Sequence, residues 1–531
     1  MNFCADRSQP EASFKPSKRL RNTDQPTGGS HENPQKVIMR IQTRALRTAL
    51  AASSLLAALP ALRAQSNESE IQALRAQIEQ LDQKLRVLER KEEIKSDDAA
   101  AAAKAAPQVN ISDKGLVIAS GDGANSFHIG GLVQLDSREF FGDSGTVAGP
   151  SVANNSLVLR RARLISDGTF GKIYSFQLVT EFGGGSNSAG ASTASGVTIL
   201  DANLNVAPTK ELQFKFGKFK APVGLEYLQA DPSLPFVERS LVNNLVPQRD
   251  LGAQVWGIFN NGVLAYSAGV YGGVGDLVNS ANVDFDNDKD GIVRIFAQPF
   301  TNDKDSVVQG LGFGAAASYG RDRGVASSTT TGVATDGALT GGYKTDGQQT
   351  FFKYGTAVND GATWRISPQA NYYYGPISLV GEYVISAVNV RNQAAVTNPP
   401  TKPAVELTNR AWQIQGGYVL SGEKSTFAGV TPTNPFSWEK GTWGAWQVVG
   451  RYAKQTIDNN AFSGGFAATT TNAQAAAAVG VGLNWYLSNT VRISTDYFQT
   501  KFTLPIGVAT SASEILNHDE KSLISRFQIS F

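Results

Sequence analysis

Between residues 197 and 219 apolar and polar side chains alternate with a period of two, and this pattern limits what the whole chain can be. Leu200, Ala202, Leu204 and Val206 fall on one face; Asp201, Asn203 and Asn205 fall on the other. After the turn Ala207-Pro208-Thr209-Lys210, the apolar face resumes with Leu212, Phe214 and Phe216, opposed by Gln213 and Lys215. Strict alternation over about ten residues describes strands with one apolar and one polar face. In a soluble sandwich the apolar face meets a second sheet. In a membrane barrel it meets lipid, and the polar face lines water.

Composition narrows the choice. No Pro/Ser-rich linker divides residues 110–531 of this 531-residue chain, and no apolar run of about 18 residues follows the N-terminal region. A helical membrane protein is thereby excluded; a barrel, whose spans are only half apolar, is not. Lys and Arg number 48 against 46 Asp and Glu, so there is no global bias towards nucleic acid. Any anion preference must come from placement. One cysteine, Cys4, and three histidines give no disulfide framework and no Cys/His zinc site, so no cofactor is expected.

Residues 1–38 are polar and irregular. Met39-Arg40, with Arg44 and Arg47, precedes an apolar run at 49–62 and then Ala64-Gln65. That is the charged start, apolar middle and small-residue end of a secretory signal. The expectation is a start at Met39, a non-native upstream extension at 1–38, a signal at 39–64 and mature protein from near Gln65. A short interior helix is the alternative. Next, Ile71, Leu74, Ile78, Leu81, Leu85 and Leu88 occupy a and d positions of three heptads, with Arg75, Asp82, Lys84 and Glu89 at e and g. Residues 65–108 therefore read as a short periplasmic coiled coil of unsettled strand number plus an Ala-rich linker at 97–108. A single amphipathic surface helix fits the same spacing.

From residue 126 the chain reads as strand, long Gly/Asn/Ser loop, strand, short turn. Strands are expected near 127–140, 157–165, 174–182, 197–206, 212–219, 252–259, 263–271, 292–300, 307–319, 364–374, 377–386, 411–420, 444–454, 477–487, 491–502 and 523–531. Short turns include Asp167-Gly168, Asn260-Asn261-Gly262 and Gly375-Pro376. The fold class is all-β: a sixteen-stranded antiparallel transmembrane barrel over 109–531, with both ends in the periplasm. A soluble all-β protein is the alternative. The last strand alternates Phe527, Ile529 and Phe531 outward with Arg526, Gln528 and Ser530 inward.

Several ordered motifs carry a family resemblance. They are Leu159-Arg160-Arg161-Ala162-Arg163-Leu164, Phe216-Gly217-Lys218-Phe219-Lys220, Pro235-Phe236-Val237-Glu238-Arg239-Ser240-Leu241, Gln248-Arg249-Asp250-Leu251-Gly252, Tyr374-Gly375-Pro376, Gly381-Glu382-Tyr383, Leu420-Ser421-Gly422-Glu423 and Gly444-Ala445-Trp446. In this order and spacing the chain resembles the phosphate-selective porins O and P of bacterial outer membranes. The resemblance implies a homotrimer in a lipid and lipopolysaccharide bilayer, an inward-folded third outer loop, and basic residues at a constriction passing small anions such as phosphate. Arg160, Arg161, Lys218 and Lys220 match the constriction; Arg163, Arg239 and Arg249 join them as the candidate anion-binding set. Adjacent arginines cannot both point inward on a regular strand, so Arg160-Arg161 needs a bulge, a rim position or a subunit interface. One departure stands out. Phosphate-selective members carry a dense arginine ladder, whereas residues 319–361 here offer only Arg321, Arg323, Lys344 and Lys353. On an outer loop, Lys344 and Lys353 are expected to matter little.

Alternation also puts Lys215, Arg365, Arg451, Arg492 and Arg526 in the lumen, beside Glu181, Asp201, Glu382 and Asp496. They can set a field across the pore or merely pair with one another. Residues 221–250 are expected to fold into the lumen on their apolar anchors Leu225, Leu234, Phe236 and Leu245. Asp286, Asp288, Asp290 and Gly291 match the start of a calcium loop, but the twelfth position is Ala297 rather than Glu, so a solvated acidic loop is the simpler reading. No Ser/His pairing suggests an enzyme; His128 and His518 stand alone. The reading is a passive anion porin. Its rivals are a broad porin for small organic solutes and a structural tether whose helix contacts the cell wall.

Overall fold

The computed structural model describes residues 67–141, 155–183, 196–280, 282, 287–322, 339, 342–355, 357–392, 402–507 and 519–531. The expected signal and upstream extension, Cys4, Asp286, Arg323 and His518 lie outside them.

Sixteen antiparallel strands form a closed barrel: β1 Ser126–Phe140, β2 Ser156–Phe170, β3 Tyr174–Glu181, β4 Thr198–Val206, β5 Gln213–Lys220, β6 Arg249–Phe259, β7 Leu264–Tyr271, β8 Asp290–Ala297, β9 Leu311–Asp322, β10 Ala357–Tyr374, β11 Ile377–Asn392, β12 Val405–Val419, β13 Ala445–Thr456, β14 Ala475–Tyr486, β15 Val491–Thr503 and β16 Glu520–Ser530. Each pairs with the next, and β16 returns to β1 in the register Ser530↔Leu132 to Ser522↔Phe140. A closed sheet leaves no edge unpaired in lipid, which is what allows strands to span a membrane. A leading hairpin, Gln108–Ser112 with Gly115–Ala119, adds two strands beside the start of β1. His128 fastens it there, its ring nitrogens bonding Asp167 (2.7 Å) and the Lys114 carbonyl oxygen (2.5 Å).

The period-two alternation holds over most of β4 and β5. Leu204, Phe214 and Phe216 face outward and are exposed, while Asn205 and Gln213 are buried and bonded to each other at 3.0 Å. It fails at Leu200. A bulge between Val179 and Thr180 skips this residue, so Leu200 is buried instead of facing lipid. Asp167-Gly168 is likewise no turn: Asp167 pairs with His128 inside the ladder. The chain reverses at 171–173, where Gly171 and Lys172 take φ of 59° and 68°. β8 ends at Ala297 rather than Phe300, and β9 starts at Leu311 rather than Val307.

The inward face also departs from a uniformly polar lining. Val384, Val388, Val390, Leu407 and Ala411 point inward and are buried. They do not meet water. Segments that follow β5, β9 and β13 insert into the barrel and bring Val223, Leu241, Leu245, Tyr343, Phe351, Phe352, Phe462 and Phe466 against them. One side of the lumen is thus filled by an apolar core, and the wall beside it is apolar on both faces.

The helix Asn67–Ala105 carries the heptad seam. The Ala-rich stretch expected as a linker continues this helix, as the residue of highest helix propensity should. Ile71, Leu74, Ile78, Leu81, Leu85 and Leu88 are exposed by 50–64%.

Candidate functional site

After β5 the chain turns into the barrel and does not rejoin the wall until Arg249. Most residues of 221–248 are buried, so their backbone polar groups need partners. The wall supplies them. Glu382 accepts the N–H groups of Leu225 (2.8 Å) and Glu226 (3.1 Å), and Asp496 accepts that of Val237 (2.6 Å). Arg492 donates to the Leu234 carbonyl (2.8 Å), Asn484 to that of Pro235 (2.8 Å), and Arg526 to that of Val237. Arg451 donates to Glu226 (3.2 Å), to the Glu238 carbonyl (3.0 Å) and to Asp346, and stacks over Phe236. Most of the lumen charges read from the sequence are therefore loop anchors. Arg365 instead holds Asp276 (2.7 Å), on the connection after β7, and Lys215 lies over the Phe219 and Trp256 rings.

Beside this loop lies a cavity of about 390 Å³. β2 provides one wall. Arg161 and Arg163 turn inward by the period of two, and a bulge opposite Gln134 and Leu135 leaves Arg160 outside the ladder register. Of the three ways to accommodate adjacent arginines, the structure uses the bulge: Arg160 and Arg161 both reach the cavity. The loop supplies two of the cavity's carboxylates, and β3 supplies Glu181. Glu238 accepts from Arg160 (2.6 and 3.0 Å) and Arg138 (3.0 Å), and Arg526 reaches it at 3.3 Å. Asp231 takes Arg239 (2.6 Å), Arg161 (3.3 Å) and Arg163, which also bonds Glu181 (2.6 Å). Arg249 pairs with Asp201 at 3.0 Å.

Burial alone would raise the Glu238 carboxyl, but Arg160, Arg526 and Arg138 hold it well below the ordinary range. Asp231 is lowered in the same way, its burial outweighed by Arg161, Arg239, Arg163 and Lys220. Both stay ionised. The lining still carries six basic side chains, Arg160, Arg161, Arg163, Arg239, Arg249 and Lys344, against three acidic ones, Glu181, Asp231 and Glu238. The cavity is therefore basic although every one of its carboxylates is paired.

Five of the seven candidate residues line this cavity; Lys218 and Lys220 do not. Their amines are turned to backbone oxygens and, for Lys218, a side-chain amide oxygen as well. Lys218 donates to the Ser280 carbonyl (2.6 Å) and to Asn282 (3.2 Å), and Lys220 to the carbonyls of Tyr227 (2.7 Å) and Gln229 (2.9 Å). Lys344 departs from the outer-loop position expected for it. The hairpin Gly342–Lys344 with Thr350–Lys353 folds inward, tied by Asn244 to both backbone groups of Lys344 (2.8 and 3.1 Å) and by Thr345 to Glu520 (2.8 Å). Lys344 is thereby a cavity residue, whereas Lys353 is exposed. Tyr343, Phe351, Phe352 and Tyr354, an aromatic set inside a Gly- and Thr-rich loop, were the signal for this insertion. Lys344→Glu should weaken anion preference in a bilayer reversal-potential measurement, and Lys353→Glu should leave it unchanged.

Among the described residues no group of His, Cys, Asp and Glu is arranged to hold a metal ion. Asp290 of the calcium motif opens β8 with its carboxylate 3.8 Å from Arg365, so it faces a lumen arginine instead of an outer-loop ligand set.

The family described as Phosphate-selective porin O and P matches residues 127–512. Porin O of Pseudomonas aeruginosa is 24% identical over 428 residues, which are 73% of this chain and 85% of that protein. Among solved structures, the outer membrane channel DcaP of Acinetobacter baumannii is 11% identical, with 77% of this chain and 98% of that one covered and a TM-score of 0.46. A loop L8 deletion mutant of OmpT, an outer membrane protein of Vibrio cholerae, is 14% identical, with 77% and 100% covered and a TM-score of 0.44.

Proposed function

The chain belongs to the phosphate-selective porin O and P family and is an outer-membrane porin, and from that premise we propose that it passes small oxyanions passively through the arginine-lined cavity beside its inward loop. The observation that carries this reading is the excess of six basic over three acidic side chains around one cavity of a nearly neutral protein. Guanidinium suits an oxyanion because it stays charged and binds two oxygens at once. A channel must also release what it binds. Sharing Glu238 and Asp231 among the arginines serves that need: an entering phosphate competes with a carboxylate already in place, so its binding is weak. Phosphate added to a channel conducting chloride should therefore reduce the current at concentrations that leave a neutral solute of the same size without effect. Equal reduction by both would favour a broad solute porin.

We also propose that the helix Asn67–Ala105 lies in the periplasm and that its uncovered seam is closed by the same helix of neighbouring copies, in a homotrimer. Six large apolar side chains exposed in one row on a single helix support a partner of the same repeat. Deleting residues 66–95 should leave single-channel conductance unchanged and lower the temperature at which the oligomer dissociates in detergent. Loss of conductance in correctly inserted protein would contradict the periplasmic placement.

A further inference from the structure

Short turns mark the end of the barrel that also bears the leading hairpin, and by the usual asymmetry of outer-membrane barrels that end is periplasmic. The longest connection there is residues 420–444, between β12 and β13. Its first half enters the barrel mouth. Val430 packs with Val419, Ala445 and Tyr486, and Gln229 of the inward loop donates to the Phe427 carbonyl at 2.8 Å.

Its second half goes the other way. Gln447 and Tyr486 are buried in the lumen and bonded to each other at 2.8 Å, so their neighbours Trp446 and Trp485 lie on the outer face of the wall. These two indoles stack at 4.9 Å, directly beyond the lipid-facing pair Val448 and Leu483. A small hairpin docks on them. Ser437 and Thr442 exchange backbone bonds of 3.0 and 3.1 Å, the Phe436 N–H donates to the Leu487 carbonyl (2.6 Å), and the Trp485 indole donates to the Trp443 carbonyl (2.7 Å). Phe436 packs edge-on against Trp485 and Trp443, and Trp438 packs against Trp443. Four of the chain's seven tryptophans are gathered here, yet Trp438 is 81% and Trp443 56% exposed. A hairpin held by this many bonds keeps two indoles turned outward by construction.

We infer that this hairpin is a docking surface for glycerophospholipid of the periplasmic leaflet, with Trp438 and Trp443 in the headgroup region and Lys440 at the tip near lipid phosphate. The patch continues the lipid-facing wall without a break. An indole, with an apolar ring and one polar N–H, suits the boundary between hydrocarbon and water. Lys440 is exposed and adds the charge that a phosphate recognises.

The test uses the full chain carrying Cys4→Ser, reconstituted into phosphatidylethanolamine and phosphatidylglycerol vesicles. A nitroxide is placed at Trp438→Cys, at the lipid-facing reference Val448→Cys and at the turn reference Asp303→Cys. The ratio of oxygen to nickel-chelate accessibility at 438 should lie between those at 448 and 303, as the headgroup region requires. A ratio matching position 303 would overturn the proposal, and so would spin–spin broadening between copies, which would make the patch a subunit interface. Unlabelled protein removes dependence on that variant. Brominated phospholipid should quench less of the emission of Trp438→Ser/Trp443→Ser than of the parent, in protein that keeps its heat-modifiable migration. Equal quenching would overturn the proposal as well.

Discussion

Glu238→Ala should give a channel whose current is noisy and whose phosphate block sets in at lower concentration. Glu238 is buried and shared by Arg138, Arg160 and Arg526, and its own carbonyl is held by Arg451. Removing one partner from a buried ion pair leaves uncompensated charge and costs about 3–5 kcal/mol. Three arginines face that loss together, and the loop segment that Glu238 anchors should detach from the wall from time to time. The released guanidiniums are then open to phosphate. The sign with pH follows from the lowered carboxyl. A group whose folded-state pKa is depressed contributes stability in full above its unfolded value, about 4.3, and loses it as pH falls through the folded one. The parent loop should thus keep this anchor at neutral pH and lose it only in strong acid. A Glu238→Ala channel with parent-like noise and block would show that the inward loop does not depend on this carboxylate.

Reversing charge at the β2 bulge should have the largest effect on selectivity. Arg160→Glu with Arg161→Glu turns a lining of six basic and three acidic side chains into one of four and five. The reversal potential in a potassium chloride gradient should move from the anion towards the cation side. Screening shortens to about 3 Å near 1 M salt, so the shift should shrink there. Lys218 and Lys220, with their amines committed to backbone carbonyls, should move the potential far less when replaced by Gln. If the arginine pair inserts normally and the potential stays put, selectivity resides elsewhere, and Arg239, Arg249 and Lys344 are the next positions to test.

Much of the barrel was legible because its signals are local. Period-two alternation, Asn260-Asn261-Gly262 with φ of 48°, 55° and 104°, and Gly375-Pro376 each mark a strand or a reversal within a few residues. Strand ends were less so. Asp167-Gly168 has turn composition, yet Asp167 is needed across the ladder by His128, a partner far away in sequence. Bulges were legible only where they left a contradiction. Adjacent arginines demanded one at Arg160, whereas Leu200 looked like an ordinary lipid-facing residue. The site was half legible for a similar reason. Arg160, Arg161, Arg163, Arg239 and Arg249 lie on or next to motifs, but Lys344 reaches the cavity only because the 342–353 hairpin inserts. That insertion depends on Val384, Val388 and Leu407, wall residues whose apolar inward face has no meaning until the hairpin covers it. Lys218 and Lys220 share the outward parity of Phe216, where a lysine would enter lipid, so the chain has to leave regular strand geometry before them. Gly217, at φ 114°, marks the local departure from strand geometry, but where the amines then find acceptors is a tertiary matter.

The central claim is that a locally basic cavity in a nearly neutral protein makes the pore favour anions. The reversal potential of the unmodified channel in a planar bilayer, read first across a potassium chloride gradient and then across a potassium phosphate gradient at low ionic strength, tests it most directly. The account predicts a potential on the anion side in both salts. A potential at zero or on the cation side would contradict it.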